Sequence, residues 1–106
     1  MSNGWVKLHR RLLASPIFTS EKGLKVWIWC LLKANHEGKS AYLGTKLSML
    51  EPGQFVTGRN KAKDELGFSV GTIWKWLGVL ERDEYIERQA TNKYTVVTIK
   101  NWTTYQ

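Results

Sequence analysis

Two short segments with helical spacing of apolar residues, joined by a connection of only three residues, constrain the fold of this chain most strongly. We predict that Thr57 caps the first helix, that Gly67 ends it, and that Ser69 caps the second. The apolar face of the second helix comprises Ile73, Trp76, Leu77 and Leu80. Because the connection is tight and contains glycine, the two helices must cross at a steep angle. The pattern predicts a helix-turn-helix whose second helix projects from the body of the domain.

Helical spacing also occurs twice before this pair. The first occurrence consists of Trp5, Leu8 and Leu12. Pro16 ends this predicted first helix, because the residue before a proline disfavours the α conformation. Ser20 is the predicted N-cap of the next helix, which ends around residues 35–38. The apolar face of that helix is predicted to comprise Leu24, Trp27, Ile28, Leu31 and Leu32.

Extended segments are predicted after these two helices. Apolar residues at 42–43 and 47–49, separated by a glycine and a threonine, indicate two short strands. Pro52 and Gly53 fit a type II turn that leads into a third strand at 55–56.

The segment after the helix-turn-helix predicts a β-hairpin. An extended stretch begins at residues 85–86, a turn is predicted at 91–92, and alternation from 94 to 99 indicates a second strand. Such a hairpin would form a wing beside the two helices. The sequence therefore predicts an α+β fold, mainly α, in the form of a winged helix-turn-helix with a small β-hairpin wing. We expect a single domain that spans residues 1–106.

The charge and the composition of the chain limit the classes of binding partner and the cellular compartments that we expect. The chain has 106 residues, with 16 Lys and Arg against 9 Asp and Glu, a net charge of +7 and a pI near 9.7. This balance favours a polyanion such as nucleic acid, although solubility or an acidic protein partner would also explain it. Cys30 is the only cysteine, which excludes an intrachain disulfide and favours a reducing compartment. Since the sequence contains neither a signal peptide nor a membrane-spanning run, we expect a cytoplasmic protein with no membrane contact.

The sequence contains no recognisable constellation of catalytic residues. His9 and His36 lack metal-ligand spacing with Cys30, there are only two Asp, and no glycine-rich phosphate loop occurs. Cys30 falls within an apolar helix and is predicted to be a buried core thiol. We expect neither an enzyme nor a bound cofactor or metal.

The second helix of the helix-turn-helix presents small and basic residues on the side away from its apolar face. These residues are Gly71, Lys75, Gly78 and Arg82, flanked by Thr72, Trp74 and Val79. We predict that this helix enters the major groove of DNA, with Thr72 and Lys75 near base edges and Trp74 against sugar or thymine methyl groups. In the alternative interpretation, Lys75 and Arg82 lie on a solvated face and Trp74 packs against the wing.

Further basic residues precede and follow this helix. Arg59, Lys61 and Lys63 lie near the N-terminal end of the preceding helix, where free backbone amides also favour phosphate. Arg88 and Lys93 flank the predicted wing tip, and a basic wing tip commonly lies along the phosphate backbone or in the minor groove. The complete predicted DNA-binding set is Arg59, Lys61, Lys63, Thr72, Trp74, Lys75, Arg82, Arg88 and Lys93.

A second basic group and several tryptophans lie outside this predicted site. The basic group is Lys7, His9, Arg10 and Arg11, which we interpret as a solvated helix face. Of the six Trp, Trp27 and Trp76 are predicted core residues, whereas Trp5 and Trp102 near the termini are candidates for a dimer interface.

Four blocks of the sequence together resemble the N-terminal domain of phage replisome organisers and related DnaD-like replication initiation proteins. The blocks are GWVKLHRRLLASPIF, LKVWIWCLLKANH, EPGQFVTGRNKAKDELGFS and TNKYTVVTIKNWTTYQ. Their order and spacing extend the resemblance over nearly the whole chain. The resemblance implies a winged helix that binds duplex origin DNA and often self-associates. In full-length members, a linker and a C-terminal domain that engages the helicase-loading machinery follow.

We therefore expect a DNA-binding domain of a phage or bacterial replication initiator, either alone or as the N-terminal domain of a longer protein. Its expected partner is double-stranded DNA, and self-association is a further expectation. Two alternatives stay open. The same fold would serve a free-standing transcriptional regulator, and the glycine-bearing helix face with the surplus tryptophans would serve a protein-interaction or oligomerisation module.

Overall fold

Three α-helices and two small antiparallel sheets form the fold in the computed structural model, which describes residues 4–105. The helices are α1 (Glu21–Lys33), α2 (Arg59–Leu66) and α3 (Val70–Arg82). The strands are β1 (Lys39–Leu43), β2 (Lys46–Leu50), β3 (Gln54–Thr57), β4 (Ile86–Ala90) and β5 (Thr95–Ile99). Short 3-10 helices span Arg10–Ala14, Pro16–Thr19 and Trp102–Tyr105. The predicted α+β class is confirmed; residues 1–3 and 106, which the single-domain prediction also covers, lie outside the described residues.

The predicted first helix is wrong over most of its length. Residues 5–9 form no helix, and only a 3-10 helix follows, which begins at Arg10. The backbone N–H of Lys7 instead donates to the carbonyl of Tyr105 at 2.7 Å, so this segment pairs with the end of the chain. Trp5 is 72% exposed and Leu8 is 52% exposed, because no described element covers them. Three apolar residues at helical spacing were therefore too little to predict a helix here, because this long-range hydrogen bond competes with helix formation.

Helix α1 begins where the sequence predicts but turns a different face to the core. Ser20 caps it by accepting a hydrogen bond from the Gly23 N–H at 3.0 Å. Trp27 and Leu31 are buried as predicted, whereas Leu32 is 66% exposed. The remaining buried residues are Gly23, Val26, Trp29 and Cys30. Apolar residues surround most of this helix, so their periodicity alone could not fix its orientation.

The strands at 42–43 and 47–49 are confirmed as a hairpin of β1 and β2. Tyr42 pairs with Leu47, and Gly44 in the connecting turn has a φ of +67°, which glycine adopts without strain. Tyr42, Leu47 and Met49 are exposed, and only Leu50 of the hairpin is buried. The hairpin thus carries apolar side chains that the rest of the described chain leaves uncovered.

The second sheet has the strand order β3-β5-β4, with β5 in the centre. The predicted turn before β3 is confirmed in its essential feature, since Gly53 has a φ of +85°. Trp102 packs so closely on Gly53 that a Cβ there would lie 2.8 Å from the indole. The predicted β4–β5 hairpin is also confirmed, and a hydrogen bond of 2.8 Å from Thr91 N–H to the Tyr94 carbonyl closes its tip.

The connection between α2 and α3 matches the prediction, but the start of α2 does not. Gly67 ends α2 in the left-handed conformation with a φ of +78°, and Ser69 caps α3 by accepting from the Thr72 N–H at 3.3 Å. Gly58, not Thr57, is the N-cap of α2. Thr57 cannot take that position because it is the last residue of β3, where it is buried opposite Thr95.

Helices α1 and α3 meet at a glycine. A Cβ built on Gly23 would lie 2.8 Å from two ring atoms of Trp76, so only glycine permits the observed approach of the two helices. The buried face of α3 is Ile73, Leu77 and Leu80, as predicted, while Trp76 is only half-buried. Trp27 completes this core, with its ring centroid 5.0 Å from that of Tyr85 and 5.5 Å from that of Tyr105.

We expect Gly23→Ala to lower the free energy of unfolding by about 1–2 kcal/mol, because overpacking forces the Trp76 indole to move. Gly71→Ala is the matched control, since a Cβ on Gly71 meets nothing within 4 Å. That substitution should raise the free energy of unfolding by about 0.4–1 kcal/mol, because alanine lowers the conformational entropy of the unfolded chain. Denaturant unfolding of the three proteins measures both effects, and equal stability of Gly23→Ala and wild type would contradict the tight α1–α3 contact.

A carboxylate on α2 fixes the orientation of α1. Glu65 accepts hydrogen bonds from the Trp29 indole N–H at 3.0 Å and from the Lys33 ammonium at 3.1 Å. Partial burial alone would raise the pKa of Glu65, but these hydrogen bonds and the positive charges of Lys33 and Lys61 hold it below its ordinary value of 4.5. The contact explains why Trp29, rather than Leu32, faces the rest of the protein.

The lowered pKa of Glu65 predicts a pH-dependent contribution to stability. The contribution is fully present above pH 4.5 and is lost as the pH falls through the lowered pKa. The difference in unfolding free energy between wild type and Glu65→Gln should therefore be largest near neutral pH and shrink as the pH falls below 4.5 through the lowered pKa. Urea unfolding of both proteins across this range measures it, and a difference that stays constant would exclude the proposed charge interaction.

Candidate nucleic-acid interface

The N-terminus of α2 and the tip of the β4–β5 hairpin lie side by side because one ladder pair joins them. Thr57 at the end of β3 pairs with Thr95 at the start of β5. The chain passes from Thr57 directly into α2, and the hairpin tip immediately precedes Thr95. A Cβ built on Gly58 would lie 4.0 Å from the carbonyl oxygen of Lys93, so the two backbones are close together.

A cleft of about 650 Å³ opens between these two segments. We call it the tip cleft; it is lined by residues 58–61, Trp74 of α3 and residues 90–95. Its cationic residues are Arg59, Lys61 and Lys93, its aromatic residues are Trp74 and Tyr94, and its other polar side chains include Asn60, Thr91 and Asn92. Cations from two distant parts of the sequence thus share one concave surface with two aromatic rings.

The N-terminal end of α2 adds backbone donors to the tip cleft. Gly58 has no side chain with which to cap the helix, and no side-chain cap hydrogen bond is formed there. The first-turn N–H groups and the positive end of the helix dipole are therefore available to an anion. Residues 58–61, which carry these N–H groups, all line the cleft.

The conformation of the hairpin tip is fixed by a threonine. Thr91 Oγ1 accepts hydrogen bonds from the backbone N–H groups of Lys93 at 3.1 Å and of Tyr94 at 3.2 Å. Within residues 4–105, neither Lys93 nor Arg59 forms an ion pair with a carboxylate. Their charges are therefore not neutralised by a neighbouring side chain.

Trp74 extends from α3 into the tip cleft while its other side packs against the core. Its side chain is half-buried, and within the described part of the chain no other aromatic ring stacks on it. The sequence allowed two interpretations of Trp74, contact with DNA and packing against the wing. The observed position is compatible with both, since Trp74 lies beside the hairpin and still exposes part of its ring.

The other predicted residues of α3 lie outside the tip cleft. The Lys75 ammonium is 5.4 Å from the centroid of the Trp76 ring, and Thr72 Oγ1 accepts from Ser69 Oγ at 3.0 Å. Arg82, at the opposite end of the helix, pairs with Asp83 at 3.1 Å. Gly71, Lys75 and Arg82 are exposed, as expected for the outward face of α3.

Arg88 lies in the middle of β4, opposite Val97, and not at the hairpin tip. Its guanidinium donates to Glu81 Oε1 at 3.1 and 3.3 Å, and its backbone N–H donates to Glu81 Oε2 at 3.1 Å. The guanidinium also lies over Gly78, 3.8 Å from the position of a Cβ there. Arg88 therefore ties the hairpin to α3 in this structure.

The structure brings together four of the nine predicted residues, Arg59, Lys61, Trp74 and Lys93. Lys63 lies on α2 outside the cleft, and the remaining four are Thr72, Lys75, Arg82 and Arg88. Sequence reasoning missed Asn60 and Tyr94. The signal for Tyr94 was an aromatic residue directly after a polar turn, where a side chain can reach the hairpin tip.

The N-terminal basic group contributes to a different cavity of about 340 Å³. His9 and Arg11 line it together with Asp83 and Glu84, so its charge is mixed and does not favour a polyanion. Tyr105 also lines it; burial, with the neighbouring Tyr85, raises the pKa of the Tyr105 hydroxyl. The predicted dimer candidates differ, since Trp5 is exposed while Trp102 is buried against Gly53.

Chemically reactive side chains are sparse in the described residues. Cys30 is fully buried, as predicted, and burial raises the pKa of its thiol. Among residues 4–105, no group of three or more His, Cys, Asp and Glu side chains is placed to hold a metal ion. None of the helices in the same range is long and apolar enough to cross a membrane.

Comparison with known proteins found no matching family model, no matching curated protein and no matching solved structure.

The Glu81–Arg88 pair should couple the hairpin to α3 energetically. Because both side chains are partly exposed, we expect Glu81→Gln and Arg88→Met each to lower the free energy of unfolding by about 0.5–1 kcal/mol. The double variant should lose less than the sum of the two single losses. Denaturant unfolding of all four proteins measures the coupling, and strictly additive losses would show that the ion pair does not stabilise the hairpin position.

Proposed function

We propose that this chain is a winged helix-turn-helix domain that binds double-stranded DNA. The order of elements supports the proposal: a helix, a two-stranded hairpin, a strand, two helices joined by a tight turn, and a second hairpin whose strands complete the sheet β3-β5-β4. In this arrangement α2 and α3 form the helix-turn-helix, and the β4–β5 hairpin is the wing. The net charge of +7 agrees with a polyanionic partner.

The observation that carries the proposal is the placement of cations in the tip cleft. Arg59, Lys61 and Lys93 line one concave surface together with Trp74 of α3. With α3 in the major groove, a phosphate backbone at the edge of that groove would run through the cleft, between the α2 N-terminus and the wing. Lys75, on the exposed face of α3, would then point toward the groove.

The biological role we propose is that of a phage or bacterial replication initiator, which rests on the resemblance of the sequence to replisome organisers. A free-standing transcriptional regulator would use the same fold and the same contacts. Footprinting on host or phage DNA separates the two roles, because an initiator protects an origin and a regulator protects a promoter.

A second candidate function is a protein-interaction module, which the β1–β2 hairpin favours. Tyr42, Leu47 and Met49 are each more than half exposed on this hairpin. Exposed apolar residues grouped in this way are typical of protein contact surfaces. This function predicts assembly that persists at high salt and that the Leu47→Ser substitution weakens, whereas DNA binding weakens as salt rises.

The test of DNA binding is a salt series with a labelled duplex. The logarithm of the binding constant should fall linearly with the logarithm of the salt concentration, with a slope of about −0.9 for each phosphate contact. Arg59→Ala and Lys93→Ala should each make the slope shallower by about 0.9, and Lys75→Ala should also weaken binding. Fluorescence anisotropy measures these constants.

The matched control is Lys46→Ala, which removes an exposed cation from the β1–β2 hairpin, outside the tip cleft. We expect it to leave the slope unchanged. Equal effects of Lys46→Ala and Lys93→Ala would indicate non-specific attraction by net charge, and absence of duplex binding at low salt would overturn the proposal in favour of the interaction module.

A further inference from the structure

We propose that the tip cleft receives one unpaired nucleotide, with its base on Trp74 and its phosphate at the N-terminus of α2. The inference rests on the proposed binding of duplex DNA. It narrows the ligand to a duplex from which one strand continues unpaired, such as a fork or a frayed end.

The aromatic residues of the cleft favour a base over a phosphate alone. A surface that only held the backbone of a duplex would need cations and N–H donors, yet Trp74 and Tyr94 both line this one. Trp74 is half-buried, and its ring has no stacking partner within residues 4–105. An indole ring that lines a cleft and has no aromatic partner offers a stacking platform for a base, because every base has a π face.

The cationic residues of the cleft suit the phosphate of the same nucleotide. Arg59 and the uncapped first turn of α2 lie at one wall, and Lys93 lies at the opposite wall on the hairpin tip. Amides at a helix N-terminus and basic side chains together hold a phosphate group. The cleft thus offers a phosphate subsite and a stacking subsite within one concave surface.

The volume and the polar lining agree with a single nucleotide. The cleft measures about 650 Å³, which leaves room for one nucleotide. Asn60 and Asn92 line it, and their amide groups can both donate to and accept from base edges.

The nucleotide must be unpaired for geometric reasons. A base inside a duplex is stacked on both sides, and extruding it costs a few kcal/mol, whereas an unpaired base at a junction is already free to enter a pocket. A domain that binds the duplex through α3 and takes the next unpaired base in the cleft would bind a junction more tightly than a blunt duplex.

The experiment compares a blunt duplex with the same duplex carrying a short unpaired extension on one strand. The first unpaired base is 2-aminopurine, whose fluorescence falls when it stacks on an aromatic ring. Wild-type protein should bind the extended duplex at least roughly fivefold more tightly than the blunt one, the lower end of what base–aromatic stacking contributes, and should quench the probe. The Trp74→Phe variant should retain both effects.

The Trp74→Leu variant is the decisive comparison, because leucine keeps an apolar side chain at this position but offers no ring. This variant should lose both the preference for the extended duplex over the blunt one and the quenching of the probe. Trp5→Leu, which removes an exposed tryptophan outside the cleft, should change neither.

Two failures are distinguishable. Duplex binding without a preference for the extension, or a preference that persists in Trp74→Leu, would overturn the nucleotide site and leave the proposed function intact. Failure to bind blunt duplex at low salt would overturn the proposed function itself.

Discussion

The close contact between Gly23 and Trp76 determines how α3 lies on α1, and the other parts of the candidate site depend on that placement. A side chain at residue 23 would push the indole away by occupying its position. Because α3 is fixed in this way, its apolar face packs on the core and its small, basic face remains outward. The indole of Trp74, two residues before Trp76, is thereby directed to the opposite flank, toward the hairpin.

The sheet positions the second half of the site. The β3–β5 ladder ends at the Thr57–Thr95 pair, which places residues some 40 positions apart in sequence at the two walls of one cleft. Separate contacts then fix each wall. Thr91 holds the turn that carries Lys93, and the Glu81–Arg88 bridge holds β4 against α3. An arginine that sequence reasoning assigned to DNA is thus engaged within the protein.

Local signals in the sequence predicted those elements whose chemistry is local. Ser20 and Ser69 cap helices, Gly53 and Gly67 adopt positive φ, and the two hairpins form where turn residues separate apolar runs. The wrong predictions have long-range causes: the Lys7 N–H pairs with the Tyr105 carbonyl, and Thr57 belongs to a strand that pairs with β5.

The candidate site was predictable in part for the same reason. Clusters of basic residues are visible in sequence, which identified Arg59, Lys61 and Lys93. Which cations share a surface depends on strand register and on internal ion pairs, and the periodicity of side chains carries no information on either. Tyr94 was therefore not predicted as a site residue, because the sheet places it in the cleft. The ion pair of Arg88 with Glu81 was not predicted either.

The central position of β5 has a consequence for biosynthesis. Both β3 and β4 hydrogen-bond only to β5 within their sheet, and β5 follows them in the chain. On the ribosome, β3 therefore keeps an unpaired edge while some 40 further residues are added. The three-stranded sheet can be completed only after β5 has left the exit tunnel, which makes it a late step in the folding of the nascent chain.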